Sequence, residues 1–483
     1  MITYDMQERG KSSKYEYLYQ CIREDIRAGR LVASERLPSK RVLAHHLSVS
    51  ISTVEQAYNL LVSEGYLSVR PGSGFFVCTR RSNDIHESQR RSEPVPTQLP
   101  KRYAINFKEN HCAMRLFPAE IWSRLMRRTL TERTPELYQT VPYNGLLSLR
   151  RAIASYLYEF RGISTSPDNI VIGAGTEYLY SKLLQLFGPK SVIAIGESGS
   201  RKLVDLSHSM SIAWCYVPID DEGLRIDRLS QSPANIVHVS PANHFPTGIV
   251  MSESRRKQLL EWLHGIARRY VIEDDYDSEL RYSGRALPPL VTQDDTGGVV
   301  YLNTFSKTLI PSIRISYMVL PTALMDLYRA QLSFYSCSVS SFEQYTLALF
   351  IEGGYFERHI NRLHRYFIKQ RSHVMSVLKN SELSKIADIA PVSVGTHLLV
   401  RLHTRLSDKE IQEEAHVRDV NLSMLSDYSL EPDAFNTHCV VMNFASIEPS
   451  QVESVVHVLE EIFSKDIKTK EAADEHKTHR LPM

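Results

Sequence analysis

The chain has 483 residues, 43% of them hydrophobic, and a formal net charge of +2, a length that buries more than one core and predicts a small head with a large body. No run approaches the roughly 18 consecutive apolar residues of a membrane span, and MITYDMQERGKSSK lacks the apolar core of a secretory signal, which argues against membrane association and for the cytoplasm. The cysteines Cys21, Cys78, Cys112, Cys215, Cys337 and Cys439 are scattered without CxxC or finger-like spacing, so neither a disulfide framework nor a metal site is predicted.

Residues 1–82 hold 12 Lys and Arg against 8 Asp and Glu, so the basic excess sits at the N-terminal end, which is consistent with phosphate contact. Leu18, Ile22 and Ile26 recur every four positions and mark the buried face of a helix ending near Gly29. Ser39 is placed to cap a second helix carrying Val42, Leu43, Ala44 and Leu47. The turn SVS (48–50) precedes Ser52, Thr53, Val54 and Glu55, whose Ser-x-x-Glu spacing spells a capping box opening a third helix. That helix is expected to bury Val54, Ala57, Tyr58 and Leu61. It leaves Ile51, Ser52, Thr53, Glu55 and Gln56 at an exposed start, where a helix in the major groove meets base edges. Strand SVR, turn PGSG (71–74) and strand FFVC then form a hairpin wing.

LPSKRVLAHHLSVSISTVEQAYNLLVSEGYL with the wing glycines Gly72 and Gly74 resembles the GntR family over residues 12–79, a small α+β winged helix-turn-helix domain. The resemblance implies double-stranded DNA as partner. It puts Ser39, Arg41, Thr53 and Gly72 at DNA-contact positions, beside the exposed Ser52, with the planar fork of Arg41 suited to phosphate or guanine. Ile51 stands where the family has an arginine, and Phe75 where it has a threonine.

Residues 80–103 combine charge, Ser and Pro without a helical or strand period and read as a flexible linker. The body is expected over 104–465, and 466–483 form a polar tail. In the body the apolar runs SVIAIG (191–196), NIVHVSP (235–241), RYVIEDD (269–275), VVYLNTF (299–305) and RISYMVL (314–320) alternate with helical stretches. Such alternation predicts an α/β fold with a largely parallel sheet, whose ligands gather outside the carboxyl ends of the strands.

The residues expected at those ends suit pyridoxal 5'-phosphate. Lys307 supplies a Schiff-base amine, Asp274 an acid that keeps the pyridine nitrogen protonated, and Tyr276 a donor to the phenolic oxygen. Backbone NH groups of Gly175, Thr176 and Glu177, where VIGAGTEYL passes from strand to helix, can face a phosphate, with Thr304, Ser306 and Arg314 completing the cradle.

With GAGTE (173–177), SPANHFPTG (240–248), VIEDDYDSEL (271–280) and TFSKTLIPSIRISY (304–317), the body resembles fold-type I pyridoxal-phosphate aminotransferases. The whole chain is similar to the MocR/GabR group of GntR-type regulators. The resemblance implies Lys307 as the Schiff-base lysine, Asp274 at the ring nitrogen, Tyr276 at the phenolic oxygen and Arg314 near the phosphate. It also implies a domain-swapped, head-to-tail homodimer that senses an amine or amino acid through Lys307. Three departures bear on activity. Phe245 replaces the asparagine of NPTG, Ser200 stands where relatives have an aromatic, and Val441 stands about where aminotransferases grip the substrate carboxylate with an arginine. Arg201 or Arg401 could substitute, and the sequence leaves both open. An active aminotransferase with an autoregulatory head is the alternative reading. A cofactor-free dimerisation scaffold is a third.

Overall fold

In the computed structural model the residues described are 2–7, 9–10, 12–78, 103–108, 114–197, 201–266, 268–281, 287–390, 394–429 and 437–463. The expected linker, apart from Tyr103, and the polar tail lie outside them, as does Ser200. The chain divides into two units, Met1–Lys101 and Arg102–Met483.

The first unit is built from α1 (Lys14–Arg27), α2 (Lys40–His46) and α3 (Ile51–Ser63), followed by the antiparallel pair β1 (Leu67–Arg70) and β2 (Gly74–Val77). Leu18 and Ile22 of α1, Leu43 and Ala44 of α2, and Val54, Ala57, Tyr58 and Leu61 of α3 close one apolar core. Val42 of α2 is 47% exposed, because α2 makes barely two turns and only one of its stripes reaches the core. One local expectation fails. The cap of α3 is Ser50, whose Oγ accepts from the Thr53 NH at 3.1 Å. Glu55 is engaged elsewhere, in an ion pair with Lys40, so no box forms on Ser52. Ser50→Ala is therefore expected to cost the first unit about 1 kcal/mol, while Ser52→Ala is nearly neutral and Ser50→Asp restores the loss. Thermal melting of the three variants checks this.

The second unit starts with α4 (Ala119–Glu132) and α5 (Leu147–Arg161), then alternates β3 (Ile170–Gly173), α6 (Thr176–Phe187), β4 (Val192–Gly196), α7 (Arg201–Ser209), β5 (Ala213–Val217), β6 (Ile236–Val239), α8 (Glu253–Gly265), β7 (Tyr270–Asp274), β8 (Val299–Thr304) and β9 (Ser316–Val319). The strands form one seven-stranded sheet in the order β3-β9-β8-β7-β6-β4-β5. Only β9 runs antiparallel to its neighbours, so the sheet is largely parallel, as its strands of near-continuous apolar residues require. Alternate residues enter opposite cores. Ile172, Tyr301 and Tyr317 pack with Leu149 and Ile153 of α5, whereas Val171, Val300 and Met318 pack with Leu179 and Leu183 of α6.

After β9 come α9 (Ser341–Glu352) and the 26-residue α10 (Tyr355–Asn380). The second half of α10 covers a smaller antiparallel sheet of β10 (Ala387–Ala390), β11 (His397–Leu402) and β12 (Cys439–Asn443). Phe367, Val374 and Leu378 of α10 share its core with Val452, Val455 and Leu459. No helix among the described residues is long and apolar enough to cross a membrane.

Candidate functional site

The strand order brings the carboxyl ends of β3, β8 and β7 to one side of the sheet, with β9 between β3 and β8. A cavity of about 460 Å³ opens there, lined among others by Thr176, Asp274, Tyr276, Thr304 and Lys307. Five of the nine body residues singled out in the sequence thus line one cavity. The other four adjoin these residues in the chain or bond to residues that do. Arg314 donates from Nη2 to Glu177 Oε2 at 2.9 Å, and Ser306 donates its backbone NH to Thr304 Oγ1 at 3.1 Å.

Gly175 has φ +101°, and a Cβ built on it would lie 2.3 Å from Arg314 Nη2, so only glycine lets the arginine lie over the start of α6. Burial would raise the Glu177 carboxyl, but its own backbone NH and Arg314 outweigh that and hold it at about 2. Arg314 and Lys202 both pair with this carboxylate, and the backbone NH that also stabilises it is what a helix start that favours negative charge provides.

Asp274 ends β7. Its Oδ2 is 3.7 Å from His238 Nε2, and its buried Oδ1 has no hydrogen-bond partner among the described residues. A buried carboxylate oxygen without a donor is costly, and a protonated ring nitrogen is the kind of donor that would satisfy it. Ser306 Oγ is buried without a partner in the same way. The Tyr276 hydroxyl donates to the Asn243 carbonyl at 3.1 Å, and burial, followed by Asp277 and Asp274, keeps the phenol protonated far above its ordinary range. Lys307 Nζ lies 6.0 Å from the Tyr276 ring centre. With an amine, an unsatisfied acid, a phenol and an anion-favouring helix start around one cavity, the residues present fit pyridoxal phosphate.

Three features of the wall were not assigned from sequence. His238 and His244 both line the cavity; His244 shares a 2.8 Å hydrogen bond with Thr247 Oγ1, and burial lowers its pKa to about 4, so it is neutral. Their position at and just after a strand end was the available signal. Tyr428 reaches the cavity from the loop before β12 and meets Phe245 edge-on at 5.0 Å. Phe245 also packs edge-on against His397, so the residue replacing asparagine contributes an apolar wall. Of the two candidate substitutes for the missing arginine, Arg201 lines the cavity. Arg401 is exposed on β11 opposite Cys439, and Val441 is a buried β12 residue whose NH donates to Ser423 O at 2.7 Å.

In the first unit Ser39 caps α2 through the Val42 NH at 3.3 Å. Arg41 and Ser52 are exposed and Thr53 is half-buried. Gly72, with φ +74°, forms the wing tip. Phe75 stands inward, 4.8 Å from Tyr58, and anchors the wing, whereas Ile51 is 48% exposed at the first position of α3.

Residues 14–77 match the family model of bacterial regulatory proteins, gntR family, and residues 104–459 that of aminotransferase class I and II. The HTH-type transcriptional regulator YdeL of Bacillus subtilis, itself uncharacterised, is 34% identical, with 92% of this chain and 96% of that protein covered. The probable rhizopine catabolism regulatory protein MocR of Rhizobium meliloti is 29% identical, covering 93% of each. The pyridoxine biosynthesis regulator PdxR of Corynebacterium glutamicum is 29% identical over 85% of this chain and 88% of its own. Among solved structures, the multiple substrate aminotransferase of Thermococcus profundus superposes with a TM-score of 0.67 at 25% identity, over 76% of this chain and 92% of its own. These matches, with a winged helix in one unit and an aminotransferase sheet in the other, show that the chain belongs to the gntR family of bacterial regulatory proteins, as a MocR/GabR-type member whose body is of the pyridoxal-phosphate-dependent aminotransferase class.

Proposed function

We propose that the protein is a transcriptional regulator that binds pyridoxal 5'-phosphate in the body cavity and senses an amine or amino acid there. The observation that carries this reading is the buried Oδ1 of Asp274, without a hydrogen-bond partner among the described residues, in the lining of the same cavity as Lys307. When bound, pyridoxal phosphate supplies an aldehyde that condenses reversibly with amines. Lys307 would be the resident amine, and its Nζ would hold or pass a proton when not engaged with the group. Asp274 keeps the ring nitrogen charged, since a nearby carboxylate favours the protonated form. Tyr276 would hold the phenolic oxygen through its hydroxyl. The first NH groups of α6, with Thr304, Ser306 and Arg314, would hold the phosphate.

In the head, Arg41, Ser39, Ser52 and Thr53 contact the operator from α2 and α3, and Gly72 lets the wing approach the backbone. The protein works in the cytoplasm as a domain-swapped, head-to-tail homodimer. Sensing is favoured over full transamination because a valine occupies position 441, and of the two candidate arginines Arg201 lines the cavity, where it would meet an effector carboxylate.

Gly175→Ala tests the cradle. Its Cβ would collide with Arg314 in a backbone conformation alanine disfavours, so pyridoxal phosphate affinity, read by absorbance titration, is expected to fall at least about tenfold, the loss of one charge-assisted contact. Operator binding in the absence of effector is expected to persist. Unchanged affinity for the cofactor would contradict the assignment.

A further inference from the structure

We propose that the body has a DNA-contacting surface of its own, a row of cations on α10 beside α4, without ion-pair partners among the described residues, that takes the phosphate backbone of duplex DNA. The proposal rests on the DNA-binding reading of the head. Arg358, Arg362, Arg365 and Lys369 are all exposed and stand at i, i+4, i+7 and i+11. At about 100° per residue they fall within roughly 60° of the helix circumference, and at about 1.5 Å per residue they span about 16 Å. The buried residues Phe356, His359, Leu363 and Phe367 occupy the other side of the helix.

Beside the start of the row lies a cavity of about 400 Å³ lined by Ile121, Tyr355, Arg358, Asn361, Arg362 and Arg365. Its groups are held in place by partners that leave the positive charge uncompensated. The Arg358 guanidinium lies 4.7 Å from the Tyr355 ring centre and donates to the Gly353 carbonyl at 2.9 Å. Arg124 of α4 donates to the Tyr355 hydroxyl at 3.2 Å, and Arg365 donates to the Asn361 carbonyl at 3.3 Å. Among the described residues none of Arg124, Arg358, Arg362, Arg365 and Lys369 has an ion-pair partner, whereas neighbouring Arg128 and Arg133 pair with Glu132 and Glu136.

An ordinary solvated helix face intersperses its cations with carboxylates at i±4. Here the one carboxylate of α10, Glu357, lies about 100° round the helix from Arg358. Cations repeated at that spacing repel one another, a cost that a partner with dense negative charge offsets. Duplex DNA carries about one phosphate per 3.4 Å along each strand, so a row of about 16 Å meets several. Arginine forks suit those oxygens.

The test uses the full-length protein and a duplex selected by it from a randomised pool, prepared in a short form ending at the recognised bases and a long form with flanks on both sides. The Arg358→Gln, Arg362→Gln, Arg365→Gln triple variant is expected to bind the long form about tenfold more weakly, with the slope of log K against log salt smaller by about 2 to 3, near 0.9 per lost phosphate contact. Its binding to the short form is expected to be unchanged. Lys369→Glu alone should give a smaller loss on the long form only. Equal binding of the long form by variant and wild type would overturn the proposal. So would a change of oligomeric state by light scattering without a change in the length dependence, which would assign the face to a protein partner. Failure of the wild type to bind the short form would instead refute the DNA-binding reading of the head.

Discussion

Lys307→Ala is expected to remove every cofactor-dependent property of the protein while leaving both units folded. Lys307 lines the cavity with Asp274 and Tyr276 and follows the carboxyl end of β8, the position proposed for the amine that takes the aldehyde. Without it, pyridoxal phosphate is held only by its phosphate and ring contacts, so covalent attachment, read by borohydride trapping and mass spectrometry, should fall to background. Amine-dependent changes in operator binding should vanish with it. Lys307 is only half-buried, so its truncation opens little core and the melting temperature of the unloaded protein should move little. Trapping that survives in the variant would mean that another lysine holds the cofactor.

Arg161→Leu is expected to give the largest loss of stability of any single change near the site. Arg161, the last residue of α5, makes an ion pair with Asp275, whose carboxylate also accepts from the Tyr301 hydroxyl at 2.7 Å. The Arg161 side chain is only 10% exposed and that of Asp275 2%. Removing one partner of such a pair leaves an uncompensated buried charge and costs about 3 to 5 kcal/mol. The urea midpoint of the body should drop accordingly, and Arg161→Leu combined with Asp275→Asn should recover much of the loss. Since Asp275 is bonded to Asp274 along the chain, the single variant should also weaken cofactor binding. A single variant as stable as the wild type would contradict this reading of the pair.

The apolar strand runs, the GAGTE passage from β3 to α6 and the wing turn were legible because each follows a local rule: burial on both faces of a parallel strand, small residues before a helix start, and glycine at positive φ. What escaped was set by contacts distant in the chain. Ser-x-x-Glu at 52–55 has the spelling of a cap, yet Lys40 takes Glu55 and Ser50 becomes the N-cap. Arg161 reads as an ordinary cation in the last turn of a helix. It is buried because Asp275, 114 positions away, follows a strand in the middle of the sheet. The choice between Arg201 and Arg401 depended on the strand order, which puts the chain after β4 beside the cavity and β11 in a different sheet. No local pattern encodes that.

The most direct test of a cofactor-based sensor is operator binding by full-length protein loaded with pyridoxal phosphate, measured alongside its visible absorbance while a panel of amines and amino acids is titrated. The expected result is one compound that shifts the cofactor band and the DNA affinity over the same concentration range, both shifts being absent in Lys307→Ala. DNA affinity that stays constant while the band shifts, or a protein that takes up no cofactor at all, would contradict it.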